Sequence, residues 1–331
     1  MKITKLSSLL RQAFKLHKSR IKCLAQFILA IIQERTVNMA RIATVFEGVE
    51  LESGYTRLRR FVREIILPYE KLAYLIVSIL GLNKRGRWDV IFDRTNWKLG
   101  KKYINILFLA VCLNGISIPI FFKFLTGKKS GNSNQADRIE LIKRFIRTFG
   151  KKCLGTILGD REFIGQKWMN WLNKERIPFC IRLKEDWNKA TPPNGQSMEI
   201  KKCFPGLKNG EVRNLGLCKL GEGKESAHCY ITGMLTEEGD WIIIAHSEGL
   251  KDPCEFYKQR WQIESMFKAM KTGGFNLEDT HLTLPERLEC LIGILSIVCA
   301  ICYKSGEIVV KKNFLNQKNT AFGPNPSSAS V

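Results

Sequence analysis

Histidine is scarce, with four among 331 residues and none in an HExxH run or at a paired spacing, which leaves little support for a zinc hydrolase. Cysteine is plentiful at eleven, but ligand spacing is missing. The one CxxC pair, Cys299 and Cys302, lies inside the apolar run "LIGILSIVCAICY" with no second pair nearby. Disulfide frameworks belong to short secreted chains. Cysteines scattered through apolar runs, such as Cys112, Cys180 and Cys290, read instead as reduced and buried. Acid is the other deficit: 31 Asp plus Glu against 53 Lys plus Arg leave +22. The pI is near 9.6. Such a balance favours polyanions and says nothing about fold. Nucleic acid leads, an acidic membrane surface follows, and a merely solvated basic surface stays open.

An uninterrupted membrane-length run is lacking as well. Residues 103–122 carry no charge over twenty positions. "CLNGISIP" interrupts them, however, and Asn114-Gly115 between two β-rich runs signals a hairpin of buried strands. "LAQFILAII" faintly resembles a secretory core, but its basic leader is too long, Gln26 breaks it, and Glu34-Arg35 follow. The expectation is a soluble, cytoplasmic protein without a membrane partner. No internal repeat is present.

What is there falls into blocks. Residues 1–82 read as short helices, with Leu9, Leu10, Ala13 and Phe14, then Ile21, Leu24, Ile28, Ile31 and Ile32 at helical spacing. "VNMARIATVF", the turn "EGVELES" and "GYTRLRRFVREI" suggest a helix-turn-helix pair. Arg57, Arg59, Arg60 and Arg63 of its second helix could reach DNA, with Arg57 and Arg60 the chosen candidates, or could form a solvated face. Residues 83–184 switch to β-β-β-α-β-α-β, the order of a mixed sheet with a parallel centre. Residues 185–247, rich in Gly turns and short strand-like runs, suggest a β-rich insertion. Residues 248–305 return to helices, the last apolar around most of its circumference and so core. The tail, residues 306–331, ends polar and unpatterned, as expected of a disordered or divergent segment.

Chemistry concentrates in three places. "VIFD" and "TILGD" read as strands ending on Asp93 and Asp160. Either alone reads more simply as a turn or cap residue. In "YKQRWQIESMFKAMK", residues 257–271, helical spacing gathers Tyr257, Arg260, Glu264, Lys268 and Lys271 on one stripe, while Ile263, Met266, Phe267 and Met270 form a packing face. Three acids on rigid elements suit hard divalent cations, which prefer carboxylate oxygen and serve phosphoryl transfer. The competing reading of the stripe is an i,i+4 ion pair on an exposed helix, worth only a few tenths of a kcal/mol.

The stripe Tyr257-x2-Arg260-x3-Glu264-x6-Lys271 resembles the YREK signature of the bacterial insertion-sequence transposases called family four. "DRTNW" at 93–97 and "GDREFIG" at 159–165 are similar to that family's aspartate motifs, as is "GFNLEDTHLTLPERLE" further on. The resemblance covers residues 50–305. It implies an α/β fold: a ribonuclease H-like catalytic core with a mixed sheet, a β-rich insertion and a helical N-terminal DNA-binding region. It further implies a DDE triad of Asp93, Asp160 and Glu264 holding two Mg²⁺ or Mn²⁺ ions. Tyr257, Arg260 and Lys271 would then grip DNA phosphates, and Trp241 would stack on a base flipped during a hairpin intermediate. The partners implied are element ends and target DNA, engaged by a homodimer in a synaptic complex near the bacterial nucleoid. Members usually continue past the apolar helix with a further patterned segment. Here "GEIVVKKNFLNQKNTAFGPNPSSASV" follows, so an end-binding remnant unable to transpose stays open as the alternative.

Overall fold

The structure is a computed structural model that describes residues 3–321 apart from residues 85, 100–101, 126–132, 188, 194 and 272. Five helices come first: α1 (Ile3–Ala13), α2 (Lys18–Glu34), α3 (Met39–Thr44), α4 (Leu51–Glu64) and α5 (Tyr69–Leu80). Their starts and stops are local chemistry. The Asn38 side chain accepts the Ala40 and Arg41 N–H groups at the head of α3, and Gly81 closes α5 in the left-handed conformation. Leu10, Phe14, Ile21, Leu24, Ile28 and Ile31 are buried, as their spacing predicts, with Leu6 and Phe27 beside them, while Leu9, Ala13 and Ile32 are half-buried.

The sheet begins with β1 (Trp88–Leu99), β2 (Lys102–Cys112) and β3 (Ser117–Phe124). After them come α6 (Gln135–Phe149), β4 (Leu154–Gly159), α7 (Gln166–Lys174) and β5 (Phe179–Arg182). The turn between β2 and β3 is at Asn114-Gly115, where Gly115 takes φ +81° at no steric cost. β6 (Ala190–Thr191), β7 (Val212–Leu220), β8 (Ala227–Leu235) and β9 (Trp241–His246) complete the strands. The nine run in the order β3-β2-β1-β4-β5-β9-β8-β7-β6. The β1–β4 and β4–β5 pairs are parallel and every other pair is antiparallel. Strands 185–247 therefore extend the same sheet, joined to it where β5 meets β9.

Two expectations need correction. The strand read as ending on Asp93 continues to Leu99, because β2 runs beside it and pairs from Val111 back to Lys102. Its polar letters are tolerated by pairing rather than by burial alone. The second concerns the tail. After α8 (Pro253–Tyr257) and α9 (Gln262–Met270), α10 runs from Pro285 to Ala321. Residues 306–321, read as tail, continue this helix, because its turns from Leu288 to Ile301 are locked in the core and elongation from a formed helix is far easier than nucleation. Residues 322–331 lie outside the described residues.

Within α10, residues Pro285–Asn313 are long and apolar enough to cross a membrane, yet 72% of the qualifying window is buried inside the fold. It is a core helix packed on α2, α4, α5 and β3. All eleven cysteines are free thiols, seven of them buried; Cys180 and Cys290 are among the seven, as expected, whereas Cys112 is half-buried.

Candidate active site

The parallel register places the acids. β1 and β4 pair through Phe92 and Gly159, so Asp93 and Asp160 are the next residues on each chain and leave the ladder at one level. β4 and β5 pair through Gly159 and Ile181, which brings Arg182 to that same level. The start of the β1–β4 pair is irregular: a register shift lies between Trp88 and Val90, and the Asp89 Oδ1 accepts the Thr156 N–H at 2.7 Å. Gly155 belongs at this point, since a Cβ there would sit 2.9 Å from the Trp88 carbonyl carbon and oxygen.

Each aspartate is held by backbone. The Arg94 N–H donates to Asp93 Oδ1 at 2.7 Å. The Glu162 N–H donates to Asp160 Oδ1 at 2.8 Å, so Asp160 caps the short turn Arg161–Phe163. Burial pushes the Asp93 carboxyl up to about 7; the Arg94 N–H opposes this, and neighbouring Asp160 adds to it. A carboxyl so raised, beside a second carboxylate, marks a place where a cation would be welcome.

The stripe 257–271 is not one smooth helix. α8 gives way to a tighter turn at Lys258–Trp261 before α9 begins. Tyr257 is buried with Cys180, Ile244 and Cys254 where β5 meets β9, and burial raises its phenol. Arg260, only 14% exposed, reaches Asp93 Oδ2 at 3.6 Å and also donates to Glu264 Oε1. Glu264 itself is 58% exposed. Ile263, Met266 and Met270 are buried, matching the predicted packing face, and Gln262 Oε1 accepts the Leu113 N–H at 2.9 Å, tying α9 to the β2–β3 turn.

Asp93, Asp160, Arg260 and Glu264 are thus brought into one neighbourhood, with Tyr257 beneath it. Among the described residues no three acid, histidine or cysteine side chains stand close enough to hold a metal ion together. The two aspartates fit a hard cation, which commonly takes one or two carboxylates and completes its shell with water and phosphate oxygens. Glu264 does not join them here, because the nearest cation it finds is Arg260. Lys271 closes α9 and pairs with Glu278 at 3.7 Å. Trp241 is half-buried at the start of β9, its ring 6.0 Å from Phe204, and Arg182 donates to its carbonyl at 2.8 Å. Arg57 and Arg60 are on α4, outside this neighbourhood. Trp97 is buried against Phe108 and Phe267 and offers no face for stacking.

A comparison with protein families matches residues 84–302 to the family described as Transposase DDE domain. The chain belongs to this family. It is a DDE-type transposase. Among solved structures, the cryo-EM structure of the piggyBac transposase synaptic complex with hairpin DNA is similar at a TM-score of 0.51 and 11% identity, over 94% of this chain and 73% of that one. That likeness is one of fold. No curated protein matches the chain.

The DDE transposase site also contains a network in which Arg94 and Arg138, to which the motifs give no role, hold Glu162. The Arg94 Nε donates to both oxygens of Glu162, at 2.8 and 3.0 Å, and its Nη1 donates to Asn105 Oδ1 at 3.3 Å. Buried Arg138 donates to the Ser133 carbonyl at 2.8 Å and to the Glu162 carbonyl at 3.0 Å. The pairing fixes the segment after Asp160 against the segment after Asp93, so both carboxylates share one support. Arg182 could have been found by asking which residues stand one step past the parallel-paired ends of neighbouring strands, and Arg94 one step further. Arg138, midway along an amphipathic helix, carries no such signal.

Proposed function

We propose that this transposase cuts the ends of its own mobile element and joins them to target DNA by metal-dependent phosphoryl transfer, with Asp93, Asp160 and Glu264 as the acids. The observation that carries this reading is the shared level of Asp93 and Asp160 beyond the Phe92–Gly159 pair, with Arg260 spanning from Asp93 to Glu264. The YREK spacing of Tyr257, Arg260, Glu264 and Lys271 supports the finer assignment to the family-four insertion-sequence group, acting in a bacterial cytoplasm. The strand order supports a ribonuclease H-like core.

Asp93 and Asp160 would hold the divalent cations, Mg²⁺ or Mn²⁺, two of them when DNA is bound. Such ions stabilise charge on attacking and leaving oxygens in an in-line displacement. The chain's own residues do the rest. The Arg94 and Glu162 N–H groups orient the two carboxylates. Arg260 is the hinge: when its guanidinium turns to a DNA phosphate, Glu264 is released toward the aspartates. Arg182, whose charged form burial disfavours, gains most from an anionic partner close by. Tyr257, anchored in the β5–β9 seam, sets where Arg260 starts. Lys271 would take a second phosphate one helix length away. The hairpin DNA in the piggyBac complex supports a hairpin intermediate here, with Trp241 as the stacking aromatic, and a synaptic homodimer follows from the need to hold two ends.

The test uses the full chain, a duplex carrying its flanking element ends, and the Glu264→Gln variant. Mg²⁺-dependent cutting and strand transfer by the native chain, abolished in the variant while end binding persists, is the expected result. Binding by both proteins with cutting by neither would replace this reading with an end-binding remnant. Cutting without preference for the ends would make the chain a general nuclease.

A further inference from the structure

We propose that the groove between α4 and the first turn of α10 is a second DNA-backbone site, with Arg59 and Arg287 as its central phosphate ligands. The inference rests on the transposase reading and adds a place and a chemistry that the motifs do not supply.

The groove follows from helix geometry. On α4, Gly54, Leu58, Phe61 and Val62 are buried. Thr56, Arg59, Arg60 and Arg63 recur at i, i+3, i+4 and i+7 on the opposite face. These four, with Arg287 from α10, line a cavity of about 220 Å³ that, among the described residues, no carboxylate lines. Arg59 and Arg287 also line the neighbouring cavity of about 290 Å³, walled by Asn38, Tyr55, Thr280 and His281. The two cavities share the two arginines, so they form one groove. Arg57 faces elsewhere, toward Cys23, and takes no part.

Charge then says what fits. Two carboxylates at the edges are already engaged: Glu64 is shared by Arg20 at 2.5 Å, Arg63 at 3.0 Å and Arg60 at 3.8 Å, and Asp279 accepts from Asn38 at 3.1 Å. Among the described residues neither Arg59 nor Arg287 has an ion-pair partner; Arg59 lies 5.6 Å over the Tyr55 ring. A fold that brings four guanidinium groups from two distant segments around one space leaves a charge that an anion must balance. Guanidinium forks match phosphate oxygens two at a time. A groove running through both cavities, with arginines at its middle and along one end, suits a repeating phosphate chain better than a single small anion.

The groove is also wired to the acids. Lys271, at the end of α9, pairs with Glu278 at 3.7 Å, and Asn38 Nδ2 donates to Asp279 Oδ2 at 3.1 Å. Thr280, His281 and Leu282 then form the groove wall. The segment "LEDTHL" therefore joins the helix that carries Glu264 to the groove, and a backbone held by Arg59 and Arg287 would steady both.

The experiment measures affinity for a fluorescein-labelled duplex by anisotropy across a range of salt. It compares the full chain with an Arg59→Gln/Arg287→Gln double variant. A Lys151→Gln/Arg176→Gln double variant, altered in the basic cluster at the opposite end of β4 and β5, controls for net charge. The slope of log K against log salt should fall by about 2 in the groove variant, at roughly 0.9 for each phosphate no longer neutralised, and stay near the native value in the control. An Arg59→Lys/Arg287→Lys variant keeps the charge and should keep most of the slope; it serves if the glutamine pair does not fold. An unchanged slope in the groove variant, or an equal fall in the control, overturns the proposal while leaving the transposase reading intact. So does binding of phosphatidylserine vesicles through these arginines with the duplex slope unchanged. A native chain that binds no duplex overturns both readings together.

Discussion

The inner five strands, β3-β2-β1-β4-β5, and the outer four, β9-β8-β7-β6, belong to one sheet but are built on different terms. Every residue of β4 and the first six of β3 are buried, and because successive side chains point to opposite faces, both faces there are covered. In β7 only Cys218 and Leu220 are buried, and Val212 and Leu217 are about half open to solvent. The difference follows the helices: α5, α6, α9 and α10 all pack against β3, while the outer strands β8 and β9 meet α7 and the short α8. Asp93 and Asp160 are fastened to the rigid half, where placement to a fraction of an ångström is possible.

The strongest test of that contrast is a large-to-small change on each side. Phe108, buried among Trp97, Phe122 and Phe267, should cost about 3–5 kcal/mol as Phe108→Ala in urea unfolding. Leu217→Ala, at a side chain 49% exposed, should stay within about 0.5 kcal/mol. Comparable losses would mean that the outer strands are as tightly specified as the inner ones.

Protonation of the inner half comes next in size. The folded chain holds the Asp93 proton to about pH 7, whereas an unfolded aspartate releases it near 4. The native state therefore binds more protons across that window. This group's stabilising contribution is complete below pH 4 and is lost as pH rises through 7, at up to about 1.4 kcal/mol per pH unit. Urea midpoints of chelator-treated protein should fall across that range, and Asp93→Asn should flatten the fall. A native curve without such a fall would mean that Asp93 is well solvated.

Glycine packing sharpens the comparison further. A methyl at Gly155 meets the Trp88 backbone, which cannot yield without moving β1 against β4. Gly155→Ala should cost about 1–3 kcal/mol and displace Asp93 relative to Asp160, lowering activity beyond the loss in stability. A methyl at Gly233 in β8 meets the ring of Phe204, a side chain rather than backbone. Gly233→Ala should cost less and leave the acids in place, a difference that paired thermal melts and cleavage rates would read.

Much of the inner half was legible in the sequence because its signals are local. Asn114-Gly115 announces its hairpin, and the spacing of Ile263, Met266 and Met270 announces the buried face of α9. The order of strands and helices from Trp88 to Arg182 follows from composition and breaks. What escaped depends on neighbours. Arg94 to Leu99 fell outside the strand read as ending on Asp93, because only β2 makes them strand. The tight turn at Lys258–Trp261 bends a stripe that 3.6-residue spacing draws straight, which is why Tyr257 points into the core while Glu264 points outward. Arg287 stands beside Arg59 through packing of α10 on α4, and no spacing rule reaches that far along the chain.

The smallest expected effect sits at the seam between the halves. His246 ends β9, pairs across to Cys180 of β5, and is buried with its Nε2 2.9 Å from Thr232 Oγ1 and its Nδ1 2.9 Å from the Ser247 carbonyl. That geometry is satisfied by a neutral ring that donates from Nδ1 and accepts the Thr232 hydroxyl. Burial lowers its protonation below the usual histidine range. Here the unfolded chain binds the proton more readily, so the contribution is complete above pH 6.5 and is lost as pH falls through the lowered value, opposite in sign to Asp93. His246→Gln offers a shorter acceptor to Thr232 and no titration. It should lower stability modestly at pH 8 and remove part of the acid-side decline below 6.5. If that decline is unchanged in the variant, the seam opens to water and the two halves are joined by backbone pairing alone.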